Sequence, residues 1–230
     1  MSDLGPVLVE DHAAGYRTLR LHRPGVRNAL DTATVAALRD GLASAPGPVV
    51  VLAPTDAAAF SSGADVKLED DERAAVSDSL YALYQEMRAT PKIIVAAASG
   101  HALGAGAQLL IASDLRIGSP DLTIRFMGPA HGLAVGAWGL PSLVGRGRAM
   151  DLCLSMRPVA AEEALAIGLI DRLVTDPVAE AHVYAGMVCT LDAGAVATIK
   201  RVVDMTALDA ALAEERSSNS AWGGAIAARD

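Results

Sequence analysis

Aromatic side chains are scarce in this chain: Phe, Trp and Tyr make up 3% of 230 residues, too few for the row of rings on which single-stranded nucleic acid stacks. Basic residues are outnumbered, 19 Lys and Arg against 27 Asp and Glu, for a net charge of −8. An acidic chain exerts no long-range pull on a polyanion, so neither nucleic acid nor an anionic membrane is an expected partner. Cysteine is nearly absent. Cys153 and Cys189 cannot make a disulfide framework and form no CxxC pair, so no metal is expected and the two read as buried thiols in a reducing compartment. The amino terminus, MSDLGPVLVEDH, lacks a basic start followed by an apolar run, and no export signal is visible. One uncharged stretch, Ile93 to Ser113, has the length of a bilayer span. Gly100, Gly104 and Gly106 interrupt it, and Ser99, His101 and Gln108 would need partners in lipid. A buried strand, a turn and a buried helix explain it better, and the expectation is a soluble, cytoplasmic protein.

Apolar residues are plentiful. At 52%, against 20% charged, they supply a packed core and exclude disorder. Short β-leaning runs at Val7 to Glu10 and Tyr16 to His22 open the chain, and Asp31 or Thr32 can cap a helix reaching about Ser44. Val49 to Ala53 and Lys92 to Ala98 read as fully buried strands, with an acidic helix from about Glu69 to Arg88 between them. Short strands near Leu115 to Ile117 and Leu122 to Ile124 follow a glycine-rich turn and its helix. Helical patterns cover about Arg146 to Ser155, Ala160 to Ile167, Val178 to Val188, Val196 to Val203 and the stretch from Ala207. The order strand, strand, helix recurs, and strands stop after Val174. This predicts an α/β core over residues 1–190 and a helical carboxy-terminal region over 191–230.

Two turns of small residues stand out, Ser62-Gly63-Ala64 and Gly104-Ala105-Gly106. The second fails as a dinucleotide fingerprint because Leu109 stands where a third small residue is needed. No phosphate loop of the GxxxxGK type and no GxSxG elbow is present. Such turns let backbone N–H groups approach a ligand closely, and the second also begins a helix, whose dipole favours negative charge. From composition alone they read first as tight turns and nothing more.

Four ordered blocks give them a context: RPGVRNAL (Arg23 to Leu30), AFSSGADVK (Ala59 to Lys67), PKIIVAAASGHALGAGAQLLIASDLRIGS (Pro91 to Ser119) and AAEEALAIGLIDRLV (Ala160 to Val174). Together they resemble the crotonase superfamily, the enoyl-CoA hydratase/isomerase family, over about residues 15 to 175. The resemblance implies an α/β fold, a crotonase-type spiral of ββα units with a helical carboxy-terminal region, assembled as a homotrimer or hexamer. It implies an acyl-CoA thioester as ligand, with no separate cofactor because CoA enters as part of the substrate. The backbone N–H groups of Ala64 and Ala105 match the pair that stabilises the thioester enolate; the family usually has Gly at the second place, and the Ala methyl narrows the approach. Gly63, Ala64, Asp65 and Val66 match the loop that wraps the adenine, and Gly104 belongs with the substrate-binding turn. Arg27 and Lys67 match basic residues near the CoA phosphates, or else are ordinary surface charges.

The same resemblance marks a departure. Family hydratases use two carboxylates, and the matching positions here are Gln108 and about Ala130; no Asp or Glu lies between Asp121 and Asp151. An amide cannot take a proton at neutral pH. Two histidines are nearby in sequence: His131, either a proton carrier or a loop residue without a role, and His101, with a structural role the simpler reading. The acidic run Glu69 to Glu72 reads as an edge of the acyl pocket or a solvated helix start, Trp138 and Phe126 as pocket or core, and Arg229 as the only late basic candidate for closing over CoA. Two functions stay open: a lyase or isomerase on an acyl-CoA with an unusual proton carrier, or a non-catalytic acyl-CoA binding protein or subunit of a mixed oligomer.

Overall fold

The computed structural model of the protein describes residues 2–3, 5–203 and 208–220. Strand β1 (Ser2–Asp3) pairs antiparallel with β2 (Val7–His12), and β2 with β3 (Tyr16–Leu21). Helix α1 (Thr32–Ala43) follows, and the Asp31 side chain accepts the Thr34 N–H at 2.8 Å, satisfying one of the first-turn donors that a helix leaves unpaired. The chain then advances in repeated units. Strand β4 (Val49–Pro54), strand β5 (Ala59–Ser61) and helix α2 (Asp70–Ala89) make one unit. β6 (Ile93–Ala98), β7 (His101–Leu103) and α3 (Ala105–Ala112) make the next. β8 (Leu115–Gly118), β9 (Thr123–Arg125) and α4 (Leu140–Val144) make another. The remaining elements are α5 (Arg146–Ser155), β10 (Val159–Ala160), α6 (Ala161–Ala166), β11 (Arg172–Leu173), α7 (Pro177–Val188), α8 (Ala193–Val203) and α9 (Leu208–Asn219).

In each unit the first strand joins one sheet and the second strand another. The larger sheet has seven strands in the order β1-β2-β3-β4-β6-β8-β11, and the smaller has four in the order β10-β9-β7-β5. From β3 to β11 the larger sheet is parallel, as are β5, β7 and β9 in the smaller. Adding one parallel strand to each of two sheets per unit makes the chain wind forward as a spiral of ββα units.

The apolar runs of β4 and β6 are continuous because both faces of the large sheet are covered. Side chains alternate across it. Val50, Leu52, Ile94 and Ala96 enter a core shared with Leu80, Tyr84 and Leu109, whereas Val49, Val51, Val95 and Ala97 pack with Ala181, Ala185, Val188 and Val196. Helix α8 is pinned by a buried cation: Lys200 Nζ donates to Met87 O (2.9 Å), Lys92 O (2.8 Å) and Asp114 Oδ2 (2.8 Å).

The stretch from Ile93 to Ser113 resolves into β6, β7 and α3, and no single helix among the described residues is long and apolar enough to cross a membrane. β5, β7, β10 and α4 have no counterpart in the sequence pattern. Each is five residues or shorter, too short to show a period against glycine-rich surroundings.

Candidate functional site

The two small-residue turns meet. Gly63 has φ +93, and a Cβ built on it would lie 2.7 Å from Leu103 O and 3.4 Å from Ala105 N. A Cβ on Gly106 would lie 2.5 Å from Ser61 O. Only glycine permits this approach of one backbone to the other. The first turn is held from below: Leu30 N donates to Gly63 O at 2.8 Å and Asp65 N to Leu30 O at 2.9 Å. Asn28, itself buried at φ +53, donates from Nδ2 to Ala59 O at 2.8 Å and so ties the preceding loop to β5. The second turn is held by Gly104 N donating to Arg125 O (2.8 Å) and by Tyr84 Oη donating to Ala105 O (3.1 Å). Neither the Ala64 N–H nor the Ala105 N–H donates to an acceptor among the described residues. Ala105 begins α3, where the first N–H groups have no partner within the helix and the dipole end is positive.

Ala64 and Ala105 both line a cavity of about 500 Å³. Of the positions singled out in the sequence, Arg27, Gly63, Ala64, Asp65, Val66, Lys67, Gly104, Ala105, Gln108 and His131 line it. Ala130, in the short helical turn Pro129–His131, is not among the lining residues. Val66 and Lys67 are exposed at the rim, whereas Asp65 is buried and its carboxylate turns inward, accepting the Lys67 N–H (3.0 Å) and facing Arg23 at 3.3 Å. Asp65 therefore holds the loop's shape with its side chain and faces the cavity with the rest. Arg73, also lining the cavity, was not foreseen; it is buried, donates to Leu68 O and pairs with Asp70. The other acidic residues of that run, Glu69, Asp71 and Glu72, are exposed at the start of α2. His101 is exposed on β7, while Phe126 and Trp138 are buried in the core and do not border the cavity. Arg229 lies outside the described residues. Among the described residues no three His, Cys, Asp or Glu side chains gather as metal ligands would.

Behind Gln108 lies a polar cluster that the sequence did not announce. Gln108 Oε1 accepts two hydrogen bonds, from Trp138 Nε1 at 3.0 Å and Gly136 N at 3.1 Å. Tyr81, from α2, also lines the cavity; its Oη donates to Glu215 Oε1 at 2.7 Å and accepts from Asn219 Nδ2 at 2.8 Å. Glu215 Oε2 accepts the Trp138 N–H at 2.9 Å. The loop after β9 does lack a carboxylate of its own, but α9 delivers one to its buried side. Burial pushes the Glu215 carboxyl up to about 7, against the hydrogen bonds from Tyr81 and the Trp138, Gly136 and Ala137 N–H groups, which favour the carboxylate. Burial and the Glu215 charge together raise the Tyr81 phenol and push the Cys153 thiol up to about 11. Nothing in the sequence separates Glu215 from the other charges of a polar helix.

A ββα spiral that brings two glycine turns together at one cavity is the architecture of the crotonase superfamily. The chain belongs to the enoyl-CoA hydratase/isomerase family, which matches it over residues 11–221. The "probable enoyl-CoA hydratase" of Mycobacterium bovis is 36% identical over 218 residues, covering 92% of this chain and 88% of the relative. That of Mycobacterium leprae is 34% identical over 201 residues, covering 84% and 80%. Among solved structures, an enoyl-CoA hydratase from Mycobacterium avium subsp. paratuberculosis superposes with a TM-score of 0.83 at 26% identity, over 95% of this chain and 90% of that one. An enoyl-CoA hydratase/isomerase from Xanthobacter autotrophicus gives 0.81 at 26% identity, over 95% and 88%.

Proposed function

We propose that this protein binds an acyl-CoA thioester in the cavity between the two turns and stabilises the enolate of that thioester through the N–H groups of Ala64 and Ala105. The observation that carries the reading is the meeting of the Gly63 and Ala105 backbones at one cavity of about 500 Å³, with both N–H groups unspent. Donors fixed by the backbone lose no free energy to reorganisation when charge develops on the oxygen, which is why such pairs stabilise it strongly. Arg27, Lys67 and Arg73 give the cavity positive groups suited to the CoA phosphates. CoA enters as part of the substrate, and no other cofactor is invoked.

Ordinary hydration is not the reaction this reading favours. Adding water across a double bond needs one group to activate the water and another to protonate carbon, each worth about a hundredfold or more. Gln108 stands at one of the two positions and offers an amide, and no Asp or Glu occupies the segment around Ala130. Crotonyl-CoA hydration is therefore expected to be slower than in a two-glutamate family member by roughly four orders of magnitude if the two contributions multiply. A second reading, acyl-CoA binding without turnover, is favoured by one observation: the Gln108 carbonyl is already committed to two donors. Assembly as a homotrimer or hexamer belongs to the same proposal, supported by exposed apolar side chains on α7 and α8, among them Val183 and Ile199.

Titration with CoA thioesters, read as a rise in melting temperature, tests the binding. A stabilisation that is absent with the free fatty acid is expected. No shift with any acyl-CoA at millimolar concentration would remove the reading, and hydration of crotonyl-CoA at tens per second would remove its chemical half.

A further inference from the structure

The orientation of the Gln108 amide follows from its neighbours. Trp138 Nε1 and Gly136 N can only donate, and both point at the same amide oxygen, at 3.0 and 3.1 Å. Turning the amide over would set its NH₂ donors against two buried N–H donors. The oxygen therefore faces the interior and the NH₂ group faces the other way. Tyr81 lines the cavity with Gln108, and hydrogen bonding by the Gln108 side chain acts to lower the Tyr81 phenol against its burial. Tyr81 is free to accept because its own proton is engaged elsewhere: Oη donates to Glu215 Oε1 at 2.7 Å. The second N–H of Gln108 has no acceptor among the described residues, and Gln108 lines the cavity. A donor that is locked in direction and backed by a fully paired network is presented to whatever the cavity holds.

Its place along a bound acyl chain follows from helix geometry. Gln108 comes three residues after Ala105 on α3, on the same face and about 4.5 Å further along the axis. A thioester carbonyl oxygen at the Ala105 N–H thus puts the amide beside the carbons two or three bonds along. Leu133 and Val135, which also line the cavity, have apolar side chains, and the Tyr81 oxygen, an acceptor in the same lining, already takes a hydrogen bond from Asn219. A carbonyl oxygen at the β-carbon asks for a donor and for no acceptor, whereas a hydroxyl asks for both.

We propose that Gln108 is a specificity-determining residue of this site, and that the preferred ligands are acyl-CoA thioesters carrying a carbonyl oxygen on the β-carbon, the 3-oxoacyl class. The proposal rests on the acyl-CoA reading above and narrows it.

Calorimetric titration of the full-length protein with 3-oxobutyryl-CoA and butyryl-CoA, which differ in that one oxygen, provides the test. The oxo ligand is expected to bind about tenfold more tightly, the value of one added hydrogen bond between buried groups. In Gln108→Leu the ratio falls to within about twofold. Because that change strands two buried donors and can unfold the protein, Gln108→Glu is the second variant. Its carboxylate still accepts from Trp138 and Gly136 but offers no N–H, and the preference should reverse. In the wild type, infrared spectra of bound 3-¹³C-labelled ligand should show the ketone band at lower wavenumber than in water-free solvent. Equal affinities in the wild type, a ratio unchanged in both variants, or an unshifted ketone band would overturn the proposal. If neither thioester binds, the acyl-CoA reading itself falls, which is a separate result.

Discussion

Gly63 carries a constraint that no side chain could meet. Its φ of +93 is strained for any L-residue, and the position of a Cβ would overlap Leu103 O at 2.7 Å. Gly63→Ala must therefore shift the first turn away from the second. A loss of about 2 kcal/mol or more in stability is expected, read by urea unfolding, together with loss of CoA-thioester binding. An unchanged affinity would mean that the contact between the turns does not build the site. Residues of this kind are the ones a sequence can reveal, because closely approaching backbones demand Gly and Ala at fixed places. Tyr81, Arg73 and Glu215 left no such mark. Tyr81 sits among Leu80, Leu83 and Tyr84 at helical spacing and reads as core, while Glu215 follows Glu214 on a polar helix and reads as solvated. Their roles arise from α9 lying against α2, a pairing across 134 residues of chain that no local pattern encodes.

Two elements owe their position to buried charged groups, and each gives a measurable consequence. Helix α9 holds its place through Glu215 and Asn219 and through an outer pair, Arg216 with Asp78 at 2.8 Å. The Glu215 carboxyl releases its proton near 4.5 in the unfolded chain but near 7 when folded. Between those values the folded state binds a proton that the unfolded state has lost, so stability falls as pH rises through that window and levels above it. The size is on the order of 3 kcal/mol. His182, lowered by burial, contributes in the opposite direction, so the quantity to measure is the difference between wild type and Glu215→Gln. The wild type should lose stability relative to the variant from about pH 5 to 7.5; parallel curves would refute the assignment. Helix α8 depends on Lys200, whose ammonium group is buried against Asp114 and two carbonyls. Lys200→Met leaves the Asp114 carboxylate with one cation fewer and should destabilise by about 3 kcal/mol, read as a fall in melting temperature. The long elements were legible in outline because β4 and β6 are buried on both faces and α1 carries its Asp31 cap. In the small sheet β9 was legible but β5 and β7 were not, since those two are three residues each and are stabilised by pairing with one another rather than by any pattern of their own.

On the scale of the whole molecule, the face built by α7 and α8 is where exposed apolar side chains gather among the described residues. Ala181, Ala185, Val188 and Val196 cover one side of the large sheet, yet Val183 and Met187 on α7, Leu191 in the link, and Ile199 and Val203 on α8 are more than two-fifths exposed. Monomers scatter single apolar residues over their surfaces, but a run of them along neighbouring helices marks a surface meant to be covered. The proposed trimer or hexamer supplies that cover with further copies of the same chain. Light scattering should then give three or six times the chain mass of 23.6 kDa, and a monomer mass at working concentration would end the proposal. Charges placed on this face, as in Ile199→Asp with Val203→Asp, should shift the mass towards the monomer while leaving the helix signal in circular dichroism intact, because both side chains already point to solvent. Thioester binding measured on that variant then separates two kinds of site. If the cavity between the two turns is complete within one chain, affinity survives dissociation. If binding is lost together with assembly while the helix signal holds, a neighbouring copy contributes to the site, and the acyl-CoA pocket belongs to the oligomer rather than to the fold alone.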